Sequence, residues 1–252
     1  MIHNIVTKLA NQITKVRQLH RVNKNIARLK SLENAPVFGS ADWLALCELE
    51  MGGIQKNVLR KKVSDYDPRN AKQLQTGGMI GGDRMIHHNY ANIYEAYLRR
   101  FISRKSVVIL ECGILRGTGL AVWSCLFPSA LIIGLDIDLS HTKSNLEYLK
   151  SKGAFKNSMP NLLVFDQFSP KTVELENILE SQKLEIIIDD GYHSDTTILN
   201  TLYALKPYLS DEFVYFVEDN STVFPKIKEQ FPEFLVEPFG QMTVITSPNK
   251  IA

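Results

Sequence analysis

Long apolar runs are missing from these 252 residues, and none reaches the ~20 residues a bilayer-crossing helix requires. The first residues are polar and basic and lack the apolar segment of a secretory signal. Cysteine is scarce: Cys47, Cys112 and Cys125 show neither metal-type nor redox-type spacing. Their apolar neighbours mark them as small buried hydrophobes in a reducing compartment, so a cytoplasmic address is expected. Acidic residues are absent from 1–32, which carry Lys8, Lys15, Arg17, Arg21, Lys24, Arg28 and Lys30. The remainder then holds 22 basic against 27 acidic residues, a mildly acidic body that argues against a broad nucleic-acid surface. There is no internal repeat and no low-complexity tract.

What is present begins with an amphipathic pattern. Ile2, Val6, Leu9, Ile13, Val16, Leu19, Val22, Ile26 and Leu29 recur at three- and four-residue spacings, which predicts a helix. Packing on its own domain or on a sister subunit is favoured over attraction of its basic face to a membrane. A linker at Glu33–Ser40 leads to a helix over Ala41–Met51, capped by Ser40 and stopped by Gly52-Gly53. Residues 52–86 are rich in glycine and charge, with breaks at Gly77-Gly78 and Gly81-Gly82, and read as a lid. A further helical pattern starts at Asn89, with Tyr90, Ile93, Tyr94, Tyr97, Leu98 and Phe101 on one side.

From Ser106 the texture changes. Val107–Cys112, Leu131–Asp136, Asn161–Phe165, Glu185–Asp190 and Phe213–Glu218 are short apolar runs ending in or just before polar residues. Helical patterns separate them over Thr118–Phe127, Ser140–Lys152, Pro170–Gln182 and Ser194–Leu209, with Ser169-Pro170 predicted to open the third. Alternation of this kind predicts a Rossmann-like, doubly wound α/β fold with a mostly parallel sheet. Phe234–Glu237 and Met242–Thr246, separated by Pro238-Phe239-Gly240, predict a C-terminal antiparallel hairpin. In such sheets ligands bind beyond the carboxyl ends of the strands, so the polar residues there are the candidates for chemistry.

The first strand runs into Glu111-Cys112-Gly113-Ile114-Leu115-Arg116-Gly117. Glycines let the chain turn sharply and bring backbone amides to a ligand at the next helix N-terminus. Leu115 stands where a dinucleotide fingerprint needs its second glycine, which disfavours NAD. The Glu-x-Gly-x-x-x-Gly pattern instead resembles the first motif of class I S-adenosylmethionine-dependent methyltransferases. Asp136, ending the second strand, can accept both hydroxyls of a ribose. Asp166-Gln167 follows the third strand, where this fold commonly contacts adenine.

The fourth strand ends in Ile188-Asp189-Asp190-Gly191-Tyr192-His193 and the fifth in Glu218-Asp219-Asn220. Strand neighbours would bring these carboxylates together, and clustered carboxylates repel unless a cation compensates. Oxygen donors select a hard ion such as Mg²⁺, while zinc is a poor candidate. His193, three residues beyond Asp190 at a strand's ligand-binding end, reads as a general base.

The DDGYH and VED segments resemble the metal-dependent sugar O-methyltransferases of macrolide biosynthesis and their cephalosporin hydroxylase-like relatives. That resemblance spans roughly residues 80–247. It implies Asp190, Glu218 and Asp219 as Mg²⁺ ligands, His193 as base, and Glu111, Gly113, Gly117, Asp136, Asp166, Gln167 and Asp189 around S-adenosylmethionine. The upstream Gly82-Asp83-Arg84-Met85-Ile86-His87-His88-Asn89-Tyr90 resembles that group's lid. Asp83, His87, His88 and Tyr90 are therefore candidates for the lid or substrate contact. Tyr192 replaces a commonly small residue, with an expected effect on the acceptor pocket. Residues 1–80 form the helical extension with its lid-like segment, and 81–252 the methyltransferase domain.

The implied reaction moves a methyl group to a hydroxyl of a sugar, a nucleotide-sugar or a glycan-like small molecule. A homo-oligomer without nucleic-acid partners is expected. The alternatives are a catechol-type enzyme, with its metal register at Asp219-Asn220, a cephalosporin hydroxylase-like tailoring enzyme, and a non-catalytic nucleotide-binding module.

Overall fold

Strand formation here follows from where the apolar residues sit, and the computed structural model shows how the strands assemble. It describes residues 19–52, 55–58, 62–70 and 79–248, with backbone alone at 55–58 and 79–81. Ile2, Val6, Leu9, Ile13, Val16 and the Gly77-Gly78 pair lie outside the described residues.

The central sheet has seven strands: β3 (Val108–Cys112), β4 (Leu131–Asp136), β5 (Asn161–Val164), β6 (Leu184–Asp189), β7 (Leu209–Val217), β8 (Leu235–Phe239) and β9 (Met242–Thr246). Their spatial order is β5-β4-β3-β6-β7-β9-β8. The first five run parallel, and β9 pairs antiparallel with both β7 and β8, forming the expected terminal hairpin. Successive residues of each strand belong to opposite faces. Ile109, Ile132, Ile186, Ile188 and Phe216 therefore enter one core, and Leu110, Ile133, Ile187, Tyr215 and Ile245 the other. A sheet buried on both faces explains why the runs are continuously apolar rather than alternating.

Helices cover both faces. α1 (Ala41–Glu50), α2 (Ala91–Leu98), α3 (Thr118–Leu126) and α4 (Ser140–Ser151) supply Leu44, Tyr94, Trp123 and Leu149 to the first core. α5 (Val173–Leu179), α6 (Asp195–Leu205) and α7 (Phe224–Gln230) supply Leu179, Leu202 and Ile227 to the second. The helical stretch at 19–30 buries Val22 and Leu29 in the first core as well. One of its arginines, Arg28, forks onto Asp42 of α1 at 2.6 and 2.8 Å. No helix among the described residues is long and apolar enough to cross a membrane.

Several boundaries differ from the sequence reading, each for a local reason. Ser169-Pro170 does not open α5: Ser169 N donates to Asp166 O in a turn, and the helix starts after Thr172. α7, with Pro225 in its first turn, was not foreseen, nor was the antiparallel pair β1 (Gln55–Val58) and β2 (Met79–Gly81). Ser40 caps α1 by accepting from Trp43 N, and Ser194 caps α6 by accepting from Thr197 N.

The chain leaves β3 toward β4 and β5 on one side, then returns to β6 and β7 on the other. Adjacent loops diverge at that reversal and open a crevice at the carboxyl ends of β3 and β6.

Candidate functional site

Two adjoining clefts occupy this crevice. The first, about 200 Å³, is lined by Gly113, Asp136, Asp166 and Phe168 among others. The second, about 350 Å³, is lined by Glu48, Arg84, Glu111, Asp190 and Asp219 among others. Gly113, Gly191 and His193 line both, so the clefts are continuous at the end of β6.

The glycine loop is built by close approach. Gly113 has φ +87°, and a Cβ there would lie 2.0 Å from the carbonyl oxygen of Asp190. No side chain fits, so the β3 and β6 ends can touch only because residue 113 is glycine. Gly117, at φ +78°, opens α3. Asp136 holds the loop from the side: its Oδ2 accepts from Leu115 N at 3.0 Å and its Oδ1 from Asp138 N at 3.0 Å.

The roof of the first cleft comes from the 52–86 stretch that the sequence reads as a lid, at residues its motifs do not single out. Val63, Ser64, Asp67 and Arg69 line the cleft, and Ser64 Oγ donates to Asp166 Oδ2. Arg69 stacks on the Tyr192 ring at 4.3 Å, and Phe168 meets the same ring edge-on. Tyr192 thus lines the first cleft. Of the expected cofactor residues, Asp189 is turned inward, and Gln167 lines the cleft while bonding to Asp189. Gln167 Nε2 donates to Asp189 Oδ1 and Thr201 Oγ1, both at 2.8 Å, while its Oε1 accepts from Tyr192 N at 2.7 Å. Asp189 is buried against Gln167 and Tyr215, and burial pushes its pKa up to about 7. Gln167 and Asp189 brace the β6 end, and of the two Gln167 also lines the cleft beside Gly113, Asp136 and Asp166.

Beneath the second cleft lies Arg84, the functional residue that sequence reasoning missed. It is 6% exposed, yet its guanidinium meets three carboxylates. Nη2 donates to Glu111 Oε1 at 2.9 Å and to Asp190 Oδ2 at 3.0 Å, and Nε to Glu218 Oε1 at 2.6 Å. Trp123 Nε1 donates to the other Glu111 oxygen, and Tyr94 Oη to Glu218 Oε1. A planar fork whose donors sit on separate, rigidly spaced nitrogens reaches carboxylates at three strand ends from one side chain. Part of the charge compensation expected from a metal is therefore supplied by the protein. Nothing in the sequence links position 84 to 111, 190 and 218.

Glu48 of α1 is a second missed residue. It is 2% exposed and its Oε2 accepts from Met85 N at 2.9 Å. Burial outweighs the nearby Arg84 charge and raises its pKa to about 8. A sequence signal did exist: Leu44, Ala45, Cys47 and Glu48 share the buried face of α1, so an acid stands where an apolar residue is expected.

The upper wall of the second cleft gathers the strand-end residues. Asp190, His193 and Asp219 each offer one ligand atom within 4.8 Å of the others. His193 and Asp219 hold positive φ values of +64° and +54°, a strain that accumulates at functional sites. Burial, then the like charge of Glu218, raises the Asp190 pKa well above the usual range. Burial also opposes ionisation of Asp219, but hydrogen bonds from His88 and Tyr90 outweigh it and hold that carboxyl low. This donor set, two carboxylates and one imidazole whose ligand atoms converge within 4.8 Å, fits a divalent cation. Glu218 lies outside the group, its Oε1 occupied by Arg84 and Tyr94.

Asn220 cannot join the group in this arrangement. Its Nδ2 donates to His193 O and Asp195 Oδ1, and its Oδ1 accepts from Thr222 N and Val223 N. Every polar atom of the side chain is engaged, which weighs against the catechol-type register.

His193 has a defined tautomer. Nδ1 lies 3.3 Å from the carbonyl oxygen of Glu218, which can only accept, so Nδ1 carries the proton. Nε2, 3.8 Å from Asp190 Oδ1, is left as the basic atom. Burial lowers the His193 pKa, opposed in part by Asp219. The Asp83 to Tyr94 segment forms the facing wall, with Arg84, Met85, Ile86, Tyr90 and Tyr94 buried. His88 links its two sides, with Nδ1 3.0 Å from Asp219 Oδ1 and Nε2 3.3 Å from Asp83 Oδ2. Burial alone would lower its pKa, but these two carboxylates push it up to about 10.

No protein-family model matches the chain. Over 152 residues it is 26% identical to the 8-demethyl-8-alpha-L-rhamnosyl tetracenomycin-C 2'-O-methyltransferase of Streptomyces olivaceus, covering 57% of this chain and 36% of that protein. Over 144 residues it is 26% identical to the L-olivosyl-oleandolide 3-O-methyltransferase of Streptomyces antibioticus, covering 54% of this chain and 34% of that protein. The chain thus spans about a third of the length of these curated relatives. Among solved structures, the MycE methyltransferase of the mycinamycin pathway, in complex with Mg, SAH and mycinamycin VI, aligns with a TM-score of 0.49. That alignment is 19% identical and covers 65% of this chain and 51% of that one. Over rather more than half its length, this chain resembles in sequence the class I S-adenosylmethionine-dependent sugar O-methyltransferases of antibiotic biosynthesis.

Proposed function

We propose that the chain is an S-adenosylmethionine- and Mg²⁺-dependent O-methyltransferase acting on a hydroxyl of a sugar-bearing small molecule. The observation that carries this reading is the continuity of the two clefts through Gly113, Gly191 and His193. A nucleoside held in the first cleft would point its reacting end at the carboxylates of the second. The names of the two curated relatives, both sugar O-methyltransferases, support the substrate class.

In this reading Asp136 and Asp166 take the ribose and adenine, and Gly113 lets the loop amides approach the cofactor. Asp190 and Asp219 would hold the ion, with Glu218 fixed behind them by Arg84 and Tyr94. When bound, the cation lowers the pKa of an acceptor hydroxyl and the cofactor supplies an activated methyl group. His193 Nε2 accepts the hydroxyl proton, its orientation set by the Nδ1–H bond to Glu218 O. The Arg69–Tyr192–Phe168 stack would cover a bound cofactor from one side. Cytoplasmic residence belongs to the same proposal, supported by three cysteines that form no disulfide.

Transfer of labelled methyl from S-adenosylmethionine to glycosylated acceptors and nucleotide sugars, with Mg²⁺ or with EDTA, tests the reading. Turnover should require Mg²⁺ and fall by ~10²–10⁴-fold in His193→Ala, with cofactor affinity nearly unchanged. Full activity after metal removal, or tight NAD binding with none of S-adenosylmethionine, would overturn it.

A further inference from the structure

Beside the Asp190–His193–Asp219 group, and touching it through His88 and Asp219, the second cleft holds another cluster, which the reaction above does not use. Asp83, His87 and His88 each present one ligand atom within 4.8 Å of the others, and all three are partly buried. They come from one turn of chain whose shape is set by main-chain bonds. His87 N and His88 N both donate to Asp83 O at 3.0 Å, and Tyr90 N donates to Arg84 O at 3.2 Å. The turn is anchored from below, since Arg84, Met85 and Ile86 are buried.

The side-chain geometry has a direction. A metal-ligating histidine usually donates its other ring N–H to a carboxylate, which fixes the ring. His88 meets that condition, with Nδ1 3.0 Å from Asp219 Oδ1 while Nε2 faces Asp83 Oδ2 at 3.3 Å. Ligand atoms bound ~2.0–2.1 Å from one ion stand roughly 2.9–3.4 Å apart in octahedral or tetrahedral geometry. The Nε2–Oδ2 pair already has that separation, before any ion is placed. His87, whose ring meets the His88 ring at a centroid distance of 4.9 Å, supplies the third donor.

We propose that Asp83, His87 and His88 form a binding site for a divalent transition-metal cation, held apart from the Mg²⁺ group and linked to it by the Asp219–His88 bond. Two imidazoles and one carboxylate make a borderline donor set that favours such ions over Mg²⁺. Three protein ligands leave positions open toward the second cleft, which both groups line.

The untagged chain, stripped with chelator and saturated with Mg²⁺, is titrated with Co²⁺ while its visible absorption is followed. One equivalent should bind, and affinity should fall at least tenfold in His87→Ala and in His88→Gln but stay within twofold in Asp190→Asn. X-ray absorption of the Co²⁺-loaded wild type should count two imidazoles, and this decides the matter even if a variant fails to fold. No saturable Co²⁺ binding, loss in Asp190→Asn instead of His87→Ala, or a single-imidazole spectrum overturns the site. None of these readouts involves methyl transfer, so their failure leaves the proposed reaction standing.

Discussion

Replacing Glu48 by glutamine should make the protein more stable at alkaline pH while changing little at acid pH. The wild-type carboxyl is buried in α1, accepts one main-chain hydrogen bond from Met85, and has its pKa raised from 4.5 to about 8. A carboxyl raised in this way keeps its proton in the folded state at pH values where the unfolded chain has lost it. Stability from this group is therefore fully present below the unfolded value and is lost as pH climbs through about 8. The slope is about 1.4 kcal/mol per pH unit, which over that window accumulates to roughly 3–5 kcal/mol. Glutamine keeps an acceptor for Met85 N and does not titrate. Urea unfolding of wild type and Glu48→Gln at pH 5, 6, 7 and 8 reads the difference directly. The variant should match wild type near pH 5 and exceed it by several kcal/mol at pH 8. A difference that stays flat with pH, or a variant weaker at pH 8, would mean that Glu48 is ionised in the fold and that the reasoning is wrong.

Arg84→Met should lower stability by ~3–5 kcal/mol, because Glu111 and Glu218 lose a buried counter-charge. At this chain length that corresponds to a melting temperature lower by roughly 6–20 °C, and a shift under about 2 °C refutes the role given to the guanidinium. Gly113→Ala places a methyl group 2.0 Å from the Asp190 carbonyl oxygen, so calorimetry should find no S-adenosylmethionine binding. Wild-type affinity in that variant would show that the loop adapts. Asn220→Ala removes the acceptor for Thr222 N and Val223 N before α7, at a cost of ~0.5–2 kcal/mol in unfolding experiments. The Mg²⁺ concentration needed for turnover should not change, and a large increase would restore the catechol-type register.

The sequence by itself determined the sheet, the direction of its strands and the end at which the clefts lie. Runs such as Leu131–Asp136 are apolar on both faces and close on polar residues, and burial of apolar surface depends on those local patterns wherever the strand is placed. It also delivered Gly113, Asp136, Asp190, Asp219 and His193 to the correct strand ends, because chain position alone places a residue just beyond its strand. What it left open was which way each polar side chain turns. Asp189 and Asp190 are adjacent, yet one is sealed against Gln167 and Tyr215 and the other faces the cleft. Glu218 and Asp219 divide likewise, one held by Arg84 and the other grouped with Asp190 and His193. Such choices depend on partners distant in sequence: Gln167 and Tyr215 lie 22 and 26 positions from Asp189, and Arg84 lies 106 from Asp190 and 134 from Glu218. A buried charge must find its counter-charge through space, and only the packing of α1, the 62–70 segment and the Asp83–Tyr94 wall against the sheet decides which one it meets.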